Sequence, residues 1–487
     1  MDRMFHIDDV VSSLGTFEMV EHDAAPTRSS SSAYDWKPPH WVPNPVPENY
    51  DISTPPWLRP EQHPMSFVGV NVVDVENGKV LENMTVKIKA GKVVSLGKSS
   101  ATDMQEAGYT SVKAEGLYLC PGLIDCHTHV TAVPGQTASS LIPSSETDTA
   151  LKTTWVLKGM LSRGFTTVRD VGGANRHFKN ATEQWLIPGP RLFQGGPVMS
   201  QTGGHGDTSS PDDPATCCPI TPAGHSALGA TVDGVDACLK VARKLMMAGA
   251  DHIKICSSGG VASLTDKLES SQFTVPEIKA ICDTVRMMGG TLVTSHCFTS
   301  EGARNAIEAG IGGIEHGNLI DEDTLRLMAK KGVHLTPTLI VCDLLSRPPY
   351  NVIIPPSSRE KLKLVQDMGF VTLKKAHEVG VNVAYGTDAF SSMQPLQLSE
   401  FDLRAKVLPS PVILKQATVN GAKVLGMSGK IGCITPGAFA DLLFLSSNPL
   451  EDVTILNQPE KYLKGIVKDG RCVHSKVDGL RVEIPLV

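Results

Sequence analysis

The sequence predicts an α/β protein, a (β/α)8 TIM barrel carrying a small β-sandwich domain assembled from both chain ends. Two observations point there. Residues 120–430 alternate short apolar runs with amphipathic stretches of helical length, as successive βα units do. On either side, residues 65–119 and 431–487 show the period-two alternation of half-buried strands instead.

Taken in order, residues 1–64 form a Pro-rich N-terminal arm. Its proline and serine content (RSSSSAYDWKPPHWVPNPVPENYDISTPPWLRPEQHP) argues against regular helix or strand through most of it. Trp36, Trp41 and Trp57 favour an arm packed on the body over a disordered tail. FVGVNVVDV, MTVKIKA and KVVSLG then read as strands, with turns at Glu76-Asn77-Gly78 and Ala90-Gly91. ADLLFLS, KGIVKDG and RCVHSK repeat this texture near the C-terminus. Between them, eight runs read as barrel strands: LIDCHTHV, TTVRDVG, RLFQGGP, HIKICSS, LVTSHCF, GGIEHGN, HLTPTLI and VNVAYGTDA. Eight is the number that closes a parallel barrel. A Pro-rich insertion, residues 342–358, follows the seventh and reads equally well as a lid or an oligomer contact.

With 487 residues and 41% hydrophobic content, the chain can bury a large core. Its net charge of -6 comes from intermixed signs, without the basic stripe nucleic acid requires, so no nucleic-acid partner is expected. The first residues, MDRMFHIDDVVSSLGTFEMV, lack the cationic start and apolar run of a secretory signal. No apolar run reaches the roughly 18 residues of a membrane span. The expectation is a soluble, cytoplasmic protein with no membrane partner. Eleven cysteines, an odd number and scattered, read as reduced thiols packed as small apolar groups. The adjacent Cys217 and Cys218 read the same way, since vicinal cysteines rarely bridge each other.

Barrel strands turn alternate residues inward and carry chemistry at their C-terminal ends. His127 and His129, two apart on the first strand, therefore share the mouth, while Cys126 and Thr128 face the helices. The pair alone reads as metal ligands or as hydrogen-bonded histidines. Lys254 lies between Ile253 and Ile255 and must face inward, which is costly unless it is paired or neutralised. His296 in TSHCF, His316 in IEHGN and Asp388 in YGTDA close strands five, six and eight. Each alone could be a core histidine or a helix cap. Together, six ligand-type residues at the mouths of five strands indicate a metal site. His205, in the glycine-rich GGHGD, is a candidate to meet a substrate or an oxyanion, or else a surface-loop histidine. Arg169 is an inward-facing candidate for a substrate carboxylate, with an ion pair to Asp170 or another interior carboxylate the stronger alternative. Ser257, Ser258 and Gly259 line a pocket or simply make a turn.

PGLIDCHTHV, HIKICSSGG, TSHCF, IEHGN and GTDA resemble the motif set of the amidohydrolase superfamily, over roughly residues 66–475. SQTGGHGD and SSNPLEDV are most similar to its branch of imidazolonepropionase-like proteins, Xaa-Pro dipeptidases and ochratoxinase. The resemblance implies two divalent metals: His127, His129 and Asp388 on the more buried one, His296 and His316 on the other. Lys254, carboxylated by carbon dioxide to a carbamate, would bridge them as an anionic oxygen ligand. Zinc suits this set, although manganese, iron or cobalt share its ligand types. Deaminases of the superfamily work with one metal and no bridging lysine, so Lys254 favours binuclear hydrolysis. The implied activity is cleavage of an amide or peptide-like bond of a small molecule by metal-activated hydroxide, with Asp388 moving the proton. Catalytic roles then fall to Asp388, His205 and Lys254. A cyclic amide, lactone or other ester hydrolase on the same centre is the alternative, and an inactive scaffold a third. The resemblance also implies a homo-oligomer.

Overall fold

The structure, a computed structural model, describes residues 57–100, 102–134, 145–207, 228–263, 266–354 and 356–486. Trp36, Trp41, Cys217 and Cys218 lie outside these residues. The described end of the N-terminal arm touches the body. Trp57 donates its indole N–H to Gln184 at 3.1 Å, and Arg471 donates to the carbonyl of Pro60.

The first five strands are β1 (Met65–Asp74), β2 (Lys79–Lys89), β3 (Lys92–Lys98), β4 (Thr110–Lys113) and β5 (Tyr118–Pro121). Nine more follow: β6 (Leu123–Thr128), β7 (Phe165–Asp170), β8 (Arg191–Gln194), β9 (Val198–Ser200), β10 (Gly229–Thr231), β11 (Ile253–Cys256), β12 (Val293–Thr299), β13 (Gly313–Leu319) and β14 (His334–Thr336). The last are β15 (Leu442–Leu445), β16 (Leu463–Lys468) and β17 (Arg471–Ser475).

Both chain ends share one eight-stranded sheet, ordered β17-β16-β15-β5-β1-β2-β3 with β4 beside β1. Alternation supplies its core: Phe67, Val70, Val86 and Ile88 from one end pack with Leu442, Phe444 and Val467 from the other. The rings of Phe67 and Phe444 meet edge to face, 5.0 Å between centroids. The Ala90-Gly91 turn has positive φ at both residues, 50° and 74°, the geometry a tight β2–β3 hairpin demands.

The remaining strands are parallel. β6, β7 and β8 form one ladder set, and β10-β9-β11-β12-β13-β14 another. The helices among them include α1 (Glu146–Ser162), α2 (Arg176–Glu183), α3 (Val235–Met247), α4 (Val275–Met287), α5 (Ser300–Glu308), α6 (Glu322–Lys331), α7 (Leu339–Leu345), α8 (Arg359–Glu378) and α9 (Glu400–Ala405). Their ends follow local chemistry. At α6, Asp321 caps the start by accepting from Thr324 N–H, lysines fill the last turn, and Gly332 leaves the helix at φ 71°.

Two sequence-based strands differ. HLTPTLI keeps only His334–Thr336 as β14, because Pro337 has no N–H to continue a ladder and residues 339–345 coil into α7. VNVAYGTDA forms a single bridge, Leu335 to Val383. Arg404 of α9 explains why: fully buried, it bonds the carbonyls of Ala384 at 3.0 Å and Pro337 at 2.7 Å, so side chains satisfy groups a strand would have paired. The segment is still tied on both sides. Leu335 N–H donates to Asn382, and Cys126 N–H to Tyr385, at 3.1 and 2.8 Å. Between β8 and β11 the link is Asp251 N–H to the Gln194 carbonyl, 2.9 Å. β9 and β10 were not foreseen, and they frame the loop that carries His205.

Of the 342–358 insertion, α7 takes the first residues, and the Tyr350 hydroxyl bonds the carbonyl of Ser392 at 3.3 Å. All nine described cysteines are free, most of them buried. No helix among the described residues is long and apolar enough to cross a membrane.

Arg404 also pairs with buried Glu400 at 2.7 Å. Truncating Arg404 to Ala leaves that carboxylate alone in the interior, and the expected loss is about 3–5 kcal/mol in denaturant unfolding. A loss below about 1 kcal/mol would show that Arg404 does not hold the 382–388 segment.

Candidate metal centre

The four predicted histidines and Asp388 converge. His127 Nε2 and His129 Nε2 lie 3.5 and 3.4 Å from the same Asp388 oxygen. Ring centroids are 4.9 Å apart for His127 and His316, and 4.6 Å for His296 and His316. His127, His316 and Asp388 each offer a ligand atom, all within 4.8 Å of one another.

Each imidazole has one nitrogen committed to the protein. His127 Nδ1 meets Glu315 at 2.8 Å, and His129 Nδ1 donates to the Gly172 carbonyl at 2.8 Å. His316 Nδ1 pairs with the Thr338 hydroxyl at 2.7 Å, and His296 Nε2 donates to the Gly259 carbonyl at 3.3 Å. A carboxylate or carbonyl accepts only, so the proton sits on the bonded nitrogen and the other keeps its lone pair. Burial pushes His127, His296 and His316 well below the usual histidine range and His129 to about 4, with the Lys254 charge adding to each. His127, His129 and His296 thus each keep the free lone pair that a divalent cation requires, while the Thr338 hydroxyl can donate to or accept from His316 Nδ1.

Lys254 stands on β11 between Ile253 and Ile255, both 0% exposed, and is itself 3% exposed. Burial lowers its pKa, opposed by Glu315 and Asp388. No salt bridge to it forms among the described residues, which speaks against the internal ion pair. Burial pushes the Asp388 carboxyl up to about 7, with Lys254 pulling the other way.

Backbone conformation completes the convergence. His316 and Asp388 both have positive φ, 69° and 52°, rare for residues with a side chain and concentrated at functional sites. On a regular strand Glu315 and His316 would face opposite ways. The turn at His316 lets Glu315 enter the interior beneath His127 while His316 still reaches the cluster.

His205 stacks on His296, 4.0 Å between centroids and 16° from parallel, so the structure brings it to the cluster. Arg169 does not serve a substrate. It is 1% exposed and pairs with Glu315 at 2.6 Å, not with Asp170, and it also bonds the Cys126 carbonyl at 2.6 Å. Asp170 instead accepts from Val130, Gly172 and Ala174 N–H, fixing the loops beside His129. Ser257 and Ser258 are turn-builders: Ser257 accepts from Ser295 at 2.7 Å, and Ser258 from Phe298 N–H at 2.9 Å. Gly259 is needed for close approach, since a Cβ there would lie 1.8 Å from the Lys267 carbonyl oxygen.

The sequence reading missed Glu315, Thr338 and the Gly172 carbonyl. Only Glu315 left a signal, an acidic residue directly beside a candidate ligand in a predicted interior strand.

With this geometry, the chain belongs to the amidohydrolase family, whose model matches residues 118–473. It is a hydrolase acting on carbon–nitrogen bonds, with a TIM-barrel-like α/β fold. It is similar to the ochratoxinase of Aspergillus niger, 26% identical over 442 residues that cover 86% of this chain and 88% of that protein. Among solved structures it resembles a prolidase complexed with N-methylphosphonate-L-proline, at 34% identity and TM-score 0.80, covering 85% of this chain and all of the other. It also resembles a Xaa-Pro dipeptidase with methionine bound in the active site, at 27% identity and TM-score 0.76, covering 85% of this chain and 100% of that one.

Glu315 carries no ligand atom yet orients His127. Glu315→Gln is expected to weaken metal affinity by about 10- to 100-fold in competition with a chelator. Unchanged affinity would mean that His127 is oriented by packing alone.

Proposed function

We propose that the protein is a binuclear metal-dependent amidohydrolase that cleaves an amide or peptide-like bond of a small molecule. The observation that carries this is the set of four imidazoles beside Asp388, each with one nitrogen held by the protein and the other left for a cation to engage. His127, His129 and Asp388 would hold one cation, and His296 and His316 a second. Lys254, as a carbamate, would be their common ligand, and its burial without an ionic partner supports that modification. Divalent cations there supply a lowered water pKa and polarisation of the scissile carbonyl.

Asp388 accepts a proton from the attacking water and returns it to the leaving nitrogen. His205 contributes a hydrogen bond to the carbonyl oxygen as it gains charge. With Arg169 bound to Glu315, recognition of a substrate carboxylate falls to other groups. The relatives that act on ochratoxin and on proline dipeptides favour an N-acyl amino acid or a Xaa-Pro dipeptide as substrate. In this reading the parallel segments of residues 120–430 make a complete eight-membered barrel. Residues 65–119 and 431–487 then fold as its β-sandwich.

The test is a panel of N-acyl amino acids, Xaa-Pro dipeptides, hydantoins and lactones, run alongside metal analysis. Turnover of the open amides, abolished by chelation and lowered about 10²–10⁴-fold in kcat by Asp388→Asn, is expected. Activity on ring substrates only would favour a cyclic-amide or lactone hydrolase instead. Metal content well under one equivalent per chain would rule out catalysis at this centre.

The carbamate has its own readout. Carbon-13 bicarbonate should give a carbamate carbon resonance in the metal-loaded protein that disappears in Lys254→Arg. A spectrum without that signal removes Lys254 from the ligand set.

A further inference from the structure

The loop after β11 brings a carboxylate to the one site histidine that holds no ligand position. Asp266 is 6% exposed, and its Oδ2 lies 3.4 Å from His205 Nδ1. That distance is long for a hydrogen bond, and both Nδ1 and the second oxygen, Oδ1, are buried without a partner. Catalytic hydrogen bonds often have such slack before substrate closes the site.

The carboxylate is itself firmly held. Oδ2 accepts from Gly260 N–H and from the Gln272 amide, each at 3.0 Å. The Gln272 oxygen in turn accepts from His205 N–H at 2.9 Å, so one glutamine fixes both the acid and the histidine backbone. From α8, Lys361 donates to the Asp266 carbonyl at 2.6 Å and pins the loop from outside. The ring cannot drift, because it stacks on His296 at 4.0 Å and packs against Gly260. A Cβ on Gly260 would sit 2.1 Å from the ring's Cε1.

We infer that Asp266 is the positioning residue for His205, forming with it an Asp–His pair that keeps the proton on Nδ1 and leaves Nε2 as the working nitrogen. The inference rests on the amide-hydrolase reading for its consequence in catalysis, but not for the pairing itself. A carboxylate beside one imidazole nitrogen selects the tautomer, orients the ring and stabilises positive charge that develops on it. With a further proton taken from solvent at Nε2, the Asp266-paired ring donates to the developing oxyanion, while protonation of the leaving nitrogen stays with Asp388. The bland alternative is that Asp266 only builds its loop, through Gly260 and Gln272. In that case its effect would not depend on His205.

The experiment uses the full-length, zinc-loaded protein with nitrogen-15 histidine, the His205 signals being assigned by their loss in His205→Gln. Wild type is expected to show a protonated Nδ1 and a bare Nε2, and Asp266→Asn a shift of the proton toward Nε2. This arm needs no substrate, so failure of the hydrolase reading leaves it intact. With a substrate from the panel, Asp266→Asn is expected to lower kcat about 10- to 100-fold with unchanged metal content. The same change in the His205→Gln background should then lower it less than about twofold. Gly260→Ala, which displaces the ring while sparing the acid, should reproduce the loss if Asp266→Asn fails to fold. An unaltered tautomer in Asp266→Asn, equal losses in both backgrounds, or full activity in Gly260→Ala overturns the proposal.

Discussion

The candidate centre depends on a carboxylate that is not itself among the ligands. Glu315, 0% exposed, accepts at once from His127, Arg169 and Thr294. Burial alone would push this carboxyl up, but the charges of Arg169 and Lys254 more than offset that, and the net shift is downward. An ionised Glu315 fixes the His127 tautomer and neutralises an arginine that would otherwise be alone in the interior. Around it stand two cations, Arg169 and Lys254, and two carboxylates, Glu315 and Asp388. Converting Lys254 to a carbamate would leave three anions facing one guanidinium, an imbalance that only added metal charge removes. A carbamate at Lys254 and bound cations would therefore be coupled electrostatically in this dry interior.

Geometry imposes a second constraint. A parallel strand offers every other residue to the interior, which is too coarse to converge several ligands on one point. Here the backbone leaves the strand conformation at His316 and Asp388, the two ligands whose positive φ values stand out. Asp388 is stabilised in that state by its own N–H, bonded to the His127 carbonyl at 2.9 Å, and by Thr387, whose hydroxyl bonds Asp125 at 2.6 Å. At Asp388 the unusual φ is held by His127, Thr387 and Asp125, all buried.

These two constraints mark what could be read from the sequence. Ligand types at strand tips were legible because period-two alternation and strand ends are local properties. So were the β-rich flanks and the parallel runs, of which seven contain a strand and the eighth a single bridge. Glu315 was hidden because alternation assigns it the face opposite His316, and only the conformation at His316 reverses this. The shortened seventh and eighth strands were hidden for a different reason. Arg404, distant in sequence, supplies the donors that bond Pro337 and Ala384, and no local pattern announces that. Arg169 shows the reverse: an inward-facing cation was legible, but which carboxylate it meets was not.

The pairing of β5 with β15 has a consequence for how the chain is made. Leu119 and Cys120 lie against Phe444 and Leu443, so an inner strand of the sheet lacks its neighbour until most of the polypeptide has left the ribosome. At about 5–20 residues per second, that edge stays bare for a time on the order of tens of seconds. Nascent chains caught in this interval expose unsatisfied amide groups beside apolar side chains, a template for mispairing with other copies. The sheet is thus completed only once β15 has emerged, although the candidate site lies in the middle of the chain.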